Sequence, residues 1–359
     1  MAKKNIIVIG ASAGGFEAIK QLTAELPADL NAAIFIVWHM SPDVRGVLPQ
    51  VINRHKKMPA VQATDNEPIV FNSIYIAPPD RHMILEDGFV RVTRGPKENR
   101  FRPAVDPLFR SAAYIYGNRV IGVVLSGALD DGTAGLWTVK NRGGTTIVQD
   151  PKDAQVPSMP ENALEYVDVD YQVPIAGLAP LLTRLVEEEA EEMNQSNMDE
   201  NKKTGIEVRI ALQEEALELG VLDLGAFTPY TCPECHGVLA AIRDGNIIRY
   251  RCHTGHAFSV DSLLSSVTDK IEDSLWNAIR GLEESMLLLN QLGDHFAAIN
   301  KPKIASVYFR KANETHERTR LVRKAVLSHE RLTIDDIKYE KEKESGEREE
   351  MSEEDERKR

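Results

Sequence analysis

Long apolar runs and cysteine are scarce in this sequence of 359 residues, and its 43 lysines and arginines are outnumbered by 55 acidic residues. It contains no run of the roughly 18 apolar residues that mark a transmembrane helix. The apolar run at the amino end stops at Gly10, too soon for a signal peptide. Three cysteines, two of them in a C-x-x-C pair, point to a cytoplasmic chain rather than a disulfide-stapled one. The net charge of −12 sets nucleic acid aside as a general partner, and no segment suggests direct insertion into a membrane. What remains is ordinary globular composition, 42% hydrophobic and 27% charged, at a length that suits two or three domains.

The organising stretch is IIVIGASAGGFEAI, residues 6–19. Apolar β-formers run into Gly10-Ala11-Ser12-Ala13-Gly14-Gly15 and then into an amphipathic segment from Phe16 to Leu26. This predicts strand, tight turn and helix, with Ser12 at the crest. Glycines permit a close backbone approach, and the helix start offers unpaired N–H groups. Three readings compete: a G-x-S-x-G nucleophile elbow, a phosphate loop of the dinucleotide type, and a plain βα turn. The phosphate loop lacks two things. A glycine is absent where Ser12 stands, and the acidic residue expected after the second strand is replaced by Trp38-His39.

Further on, strand and helix signals alternate to about residue 186. Strands are expected at 33–38, 73–77, 120–126 and 145–149, and helices around 46–54, 106–116 and 132–141. Alternation of this kind implies an α/β fold with a doubly wound, mainly parallel sheet. The hairpin pattern MILEDGFVRVT, turning at Asp87-Gly88, would be an antiparallel insertion. In a parallel sheet the carboxyl ends of all strands share one edge. Ser12, His39 and the pair Asp130-Asp131 fall at that edge, the parts of a Ser-His-Asp triad. His55 lies in the basic run Arg54-His55-Lys56-Lys57, and His82 precedes a strand, at the opposite edge. The amides of Ala13 and Ala128 are candidate oxyanion donors. Bland roles compete throughout: Ser12 or either aspartate as a helix cap, His39 as a polar strand end. Elbow position and the order Ser, His, Asp argue against the common α/β-hydrolase fold, in which several strands precede the elbow and the order is Ser, Asp, His.

The stretches IGASAGG, VWHM, IAPPDRHMIL, PAVDPLFRSAA, GVVLSGALDDGTAGL, GGTTIVQDP and SMPENA, in this order, resemble the CheB-type protein-glutamate methylesterase catalytic domain. The resemblance covers residues 4 to about 186. It implies Ser12 as nucleophile, His39 as base and Asp131, which precedes a glycine, as the triad aspartate. It also implies hydrolysis of glutamyl methyl esters on chemoreceptor helices, with deamidation of glutamines, and no cofactor for catalysis. Many members read TGMG where this chain has Ser126-Gly127-Ala128-Leu129. The family's phosphorylatable receiver domain is expected to be missing, because Ser12 lies so near the start. A methyltransferase or sensor kinase would be a natural further partner in chemotaxis or a related two-component circuit.

Behind this domain (1–188) the reading predicts an acidic linker with a short helix at 206–220 (189–228) and a Cys/His module (229–261). A helical hairpin (262–330) and a charged disordered tail (331–359) complete it. In the module, Cys232, Cys235, Cys252 and His256 give C-x2-C-x16-C-x3-H, suited to a tetrahedral, structural Zn²⁺. His236 and His253 adjoin cysteines, which makes chelation by them awkward. A metal-free reduced module is the alternative. Apolar residues at 264, 267, 271, 275, 279, 282, 286, 289 and 292 predict one long helix with a single stripe. A hairpin built on that stripe would pack on itself and on a second copy of the chain. A rival function of another class is a signalling adaptor: the esterase-like domain would bind receptor or kinase helices, and the extension would recruit partners.

Overall fold

A computed structural model describes residues 2–39, 47–190, 198–330 and 332. It divides into two compact units, residues 1–263 and 264–359. The expected tail at 331–359 lies outside the described residues, apart from Leu332.

The first unit opens with β1 (Ile6–Ala11), α1 (Gly15–Glu25), β2 (Ala33–Trp38) and α2 (Val47–Asn53). Next come β3 (Ala60–Gln62), β4 (Glu67–Pro68), β5 (Ser73–Ile76) and the hairpin β6 (His82–Glu86) and β7 (Phe89–Thr93). The series continues with α3 (Val105–Tyr116), β8 (Val120–Val124), α4 (Thr133–Asn141), β9 (Thr145–Gln149), α5 (Ser158–Tyr166), β10 (Tyr171–Val173) and α6 (Ile175–Leu185). Seven strands form one parallel sheet in the order β10-β9-β8-β1-β2-β5-β3. The expected doubly wound parallel sheet is therefore present. The Asp87-Gly88 hairpin is indeed antiparallel, and it belongs to a separate sheet, β4-β7-β6.

All six residues of β1 are buried, because helices cover both faces of the sheet. Alternate side chains enter different cores. Ile7, Ile9 and Ala11 pack with Ile19 and Leu22 of α1 and Leu182 of α6. Ile6 and Val8 pack with Leu108 and Phe109 of α3 and Leu136 of α4. The chain leaves β1 toward β2 on one side and later returns to β8 on the other. This makes the carboxyl ends of β1 and β8 the switch point where such folds open a crevice. The strands β3, β4 and β10 escaped sequence reading because each has only two or three residues, too few for a periodic signal.

The helix expected at 206–220 is displaced toward the amino end. It is α7, Met198–Ala211, and it stops where Gln213 takes a left-handed conformation (φ 73°). Its Thr204, Glu207, Val208, Ile210 and Ala211 are buried, so packing set its limits rather than the acidic pattern. The Cys/His module is a four-stranded antiparallel sheet of β11 (Ala226–Thr231), β12 (Val238–Asp244), β13 (Ile247–Cys252) and β14 (Ala257–Ser259). It belongs to the same compact unit as the α/β domain.

Beyond Leu263 the chain is a helical hairpin, as expected: α8 (Val260–Ala298) and α9 (Pro302–Leu327). Phe296 stacks on Tyr308, and Arg323 pairs with Glu283, the register of antiparallel neighbours. Among the described residues no helix is long and apolar enough to cross a membrane.

Candidate active site and metal centre

Three adjacent strands, β8, β1 and β2, deliver the candidate triad. Ser12 follows β1, His39 follows β2, and Asp131 lies in the turn between β8 and α4. Sheet pairing continues past the strand ends: the His39 N–H donates to the Ala11 carbonyl (3.0 Å), and the Ser12 N–H to the Ser126 carbonyl (3.0 Å). The indole N–H of Trp38 also bonds the Ser12 carbonyl (3.0 Å), and the Gly15 N–H closes the turn onto the same atom (2.9 Å). Gly14 sits at φ 75°, and a Cβ there would meet Ser126 Oγ at 2.5 Å, so the glycine is required twice over. Met40, which pairs with His39 in the expected His-Met motif, lies outside the described residues.

The His39 and Asp131 side chains are almost wholly buried, with Nε2 of His39 2.8 Å from Asp131 Oδ2. The opposite ring nitrogen, Nδ1, is buried without a hydrogen-bond partner. Phe101 stacks on the imidazole at 3.8 Å between centroids and 12° between planes. The histidine is thus gripped by a carboxylate at one nitrogen and an aromatic face, with the other nitrogen left for chemistry.

The two candidate aspartates have different surroundings. Asp131 accepts the backbone N–H groups of Val105 (2.7 Å) and Asp106 (3.2 Å), at the start of α3, and the amide of Asn99 (2.9 Å). Burial works to raise its carboxyl, but the hydrogen bonds from His39, Val105 and Asn99 hold it below the usual range. Asp130 instead accepts the Ser259 hydroxyl (2.6 Å) and is pushed up to about 8 by burial. Asp106 is raised to about 7, by burial and then by the charge of Asp131. Its Oδ1 accepts the N–H groups of Gly132 (3.1 Å) and Gly135 (2.6 Å). Each of Asp106 and Asp131 therefore plugs the amino end of the helix that the other introduces, where a carboxylate is favoured. Asp130 or Asp131 was expected to cap the helix starting at Gly132; instead Asp106 holds that helix start, and Asp131 holds the start of α3.

The second glycine turn explains the Ser126-Gly127-Ala128-Leu129 departure. Ser126 Oγ donates to the Ala13 carbonyl (2.7 Å) and accepts the Val156 N–H (2.9 Å), so it buttresses the first turn. Gly127 is close-packed: a Cβ would stand 2.8 Å from the Ser12 Cβ and 2.0 Å from Met159 Sδ. Ala13 and Ala128 are exposed at the crests of the two turns. His82 is excluded for a reason other than the expected one. It belongs to β6 in the separate sheet, is fully buried, and bonds the Pro96 carbonyl through Nε2 (2.9 Å).

The metal-type ligands also converge. One ligand atom from each of Cys232, Cys235, Cys252 and His256 lies within 4.8 Å of the others. Cys235 Sγ is 3.6 Å from Cys252 Sγ, which is 3.7 Å from His256 Nδ1. Tetrahedral bonds of about 2.3 Å require ligand separations of about 3.7 Å, so the donor set fits a metal ion. Two tight turns build it: the His236 N–H returns to the Cys232 carbonyl (2.8 Å), and the Gly255 N–H to the Cys252 carbonyl (2.9 Å). All three cysteines are free thiols.

Sequence reading missed the segment 97–101 altogether. It carries Asn99 and Phe101 into the site, and it also carries Glu98 into a buried ion cluster. Glu98 binds Arg110 of α3 and Arg251 of β13, and Glu207 of α7 binds Arg249 and Arg251 of the module. The only sequence trace is Asn99 itself, a residue type that tolerates the left-handed conformation it adopts (φ 49°).

Comparison with known proteins agrees with this fold. Residues 7–182 match the CheB methylesterase family. A Leptospira interrogans relative of the protein-glutamate methylesterase/protein-glutamine glutaminase class is 36% identical over 180 residues, covering 50% of this chain and 93% of the relative. The protein-glutamate methylesterase/protein-glutamine glutaminase of Hydrogenovibrio crunogenus is 35% identical over 185 residues, 50% of this chain and 49% of that one. The crystal structure of the Thermotoga maritima CheB methylesterase catalytic domain covers 52% of this chain and all of its own, with 34% identity and a TM-score of 0.50. With the parallel sheet and these relatives in agreement, the chain belongs to the CheB methylesterase family.

Proposed function

We propose that this chain is a serine hydrolase of the family's kind, a protein-glutamate methylesterase that also deamidates glutamine side chains. Its substrates would be methylated helices of chemoreceptor-like signalling proteins. Ser12 Oγ attacks the ester carbonyl and passes its proton to Nδ1 of His39. Asp131 holds the Nε2–H tautomer and stabilises the imidazolium. The Ala13 and Ala128 amides receive the oxyanion. Collapse expels methanol, which takes the proton from His39, and leaves a glutamyl ester on Ser12. Water, deprotonated by His39, then releases the carboxylate and restores the serine. With a glutamine side chain the first leaving group is ammonia, and the remaining steps are the same.

The observation that carries this reading is the buried His39, fixed by Asp131 at Nε2 and unpartnered at Nδ1, beside the serine turn. A purely structural histidine would have both nitrogens satisfied. Zn²⁺ held by Cys232, Cys235, Cys252 and His256 would be structural: four protein ligands leave no open position for substrate. The chain would act in the cytoplasm, where receptor helices and a methyltransferase or sensor kinase are met. Incubation with membranes carrying methylated receptors tests the proposal through methanol release. Ser12→Ala should lose about 10³-fold or more of the activity with the fold retained. Undiminished release by that variant would sink the reading.

A further inference from the structure

The loop 97–101 is shared between two neighbours. On one side it pairs with the Cys/His module: the Ala257 N–H donates to the Lys97 carbonyl (3.2 Å), and the Asn99 N–H to the Ala257 carbonyl (2.9 Å). Ala257 opens β14 directly after His256 of the Cys/His cluster. On the other side the loop reaches the triad through Phe101 and Asn99. The Asn99 side chain is 4% exposed and uses both ends of its amide. Its Oδ1 accepts the Ser259 N–H (2.9 Å) and the Ser262 hydroxyl (3.3 Å), both beyond the module's metal-type site in sequence. Its Nδ2 donates to Asp131 Oδ1 (2.9 Å) and Asp106 Oδ2 (2.8 Å).

An amide oriented by two donors at its oxygen has no freedom to swing its nitrogen away from the carboxylates. Resting on the esterase reading above, we infer that Asn99 is a positioning residue for the triad aspartate, and that the C-terminal module holds it in place. The module thereby sets the competence of the active site from within the same chain.

Around Asp131 stand His39 after β2, Asp106 at the start of α3, His82 on β6 and Asp130 in its own turn, with Asp261 of α8 facing Asp130. Arg110 and Arg249 act on Asp106 from the Glu98 cluster. Asn99 is the side-chain amide among these groups that favours the charged form of Asp131 directly.

The test is the rate at which a fluorophosphonate labels Ser12 in the full chain, followed against pH, with thermal melting as the control for folding. Ser12→Ala is the blank. Asn99→Asp keeps an acceptor for Ser259 but replaces the donor with a carboxylate. It should label about ten-fold more slowly, with the acid limb moved up by about one pH unit. Asn99→Ala should slow similarly. A merely structural role at the module interface would leave Asn99→Asp close to wild type with an unmoved limb, and that result overturns the inference. Ser262→Ala, which removes from Asn99 Oδ1 a hydroxyl at the start of α8 that also bonds Ser259 of the module, should slow labelling about two-fold in the wild-type background and not at all in Asn99→Ala. No effect in either background, or an equal effect in both, removes the module from the path. A wild-type chain that fails to label defeats the esterase reading itself, whereas a labelled wild type with an indifferent Asn99→Asp defeats this inference alone.

Discussion

Glu98 and Asn99 are neighbours in the chain, yet they serve two buried polar clusters of opposite design. The Glu98 cluster is made of charges. Arg110, Arg249 and Arg251 face Glu98, Glu207 and Asp244, all almost fully buried. Burial works against the charge of Glu207, but the three guanidinium groups hold it well below the carboxylate range. The Asn99 cluster holds carboxylates with no arginine in contact; hydrogen bonds from neutral donors and from His39 hold its one low carboxyl, while Asp106 and Asp130 lean toward the protonated form. In the first cluster opposite charges face each other throughout, and it welds α3, α7 and β13 together. In the second, the histidine keeps one unpartnered nitrogen. Charge pairing fixes structure in the first cluster, and in the second an open imidazole nitrogen stands at the candidate site.

Four changes would break or sharpen this contrast. The largest effect is expected from Asp131→Asn, which keeps the shape but removes the charge that fixes the His39 tautomer. Methanol release or probe labelling should fall by about 10⁴-fold in a chain that still melts cooperatively, at a somewhat lower temperature because the ionised carboxyl stabilises the fold. Next, Glu98→Ala leaves Arg110 and Arg251 short of a buried partner. A loss of about 3–5 kcal/mol is expected, read as a melting point lower by on the order of 10 °C.

A smaller effect should come from Asp130→Asn. A carboxyl raised on folding to about 8 binds its proton more tightly in the folded chain. The wild type should therefore lose stability as pH rises from its unfolded value through about 8. The amide keeps an acceptor for Ser259 and should flatten that slope, measured as melting points at pH 5, 7 and 9. A depressed carboxyl such as Asp131 acts in the other direction: its stabilisation is present above its unfolded value and fades as pH falls through the folded one. The smallest effect is expected from Lys97→Ala. Lys97 pairs with Glu234 of the module at 3.3 Å, but both side chains are about a third exposed. Its removal should change stability by no more than about 0.5 kcal/mol in denaturant titration.

The parallel sheet and the three strand-end residues were legible because each rests on a local signal. Ile6–Ile9 and Ala33–Trp38 are unbroken apolar runs, and Ser12 and Asp131 sit in glycine turns that a strand–helix junction demands. The C-x2-C-x16-C-x3-H spacing likewise reported a cluster that does assemble. Segment 97–101 was not legible, because Lys-Glu-Asn-Arg-Phe has no periodicity and its partners lie far along the chain. The acidic stretch after α6 read as a linker leading to a short helix at 206–220, and nothing in that pattern singled out Glu207. Only the arginines of β13, arriving about 40 positions later, reveal it as buried. Helix α7 was misplaced for the same reason: its limits follow from burial against α3 and β6, not from the rhythm of its own residues.

The hydrogen bond from Ser259 to Asn99 spans 160 positions of sequence. On a ribosome the α/β domain has emerged well before that bond becomes available. At about 5–20 residues per second, the chain between α6 and β14 takes several seconds or more to be made. For that interval Asn99 stands beside Asp131 without the Ser259 and Ser262 donors that hold its oxygen. If Asn99 braces Asp131 as inferred above, the α/β fold is ready first, and the bracing of its candidate site is complete only when the last strand of the module arrives.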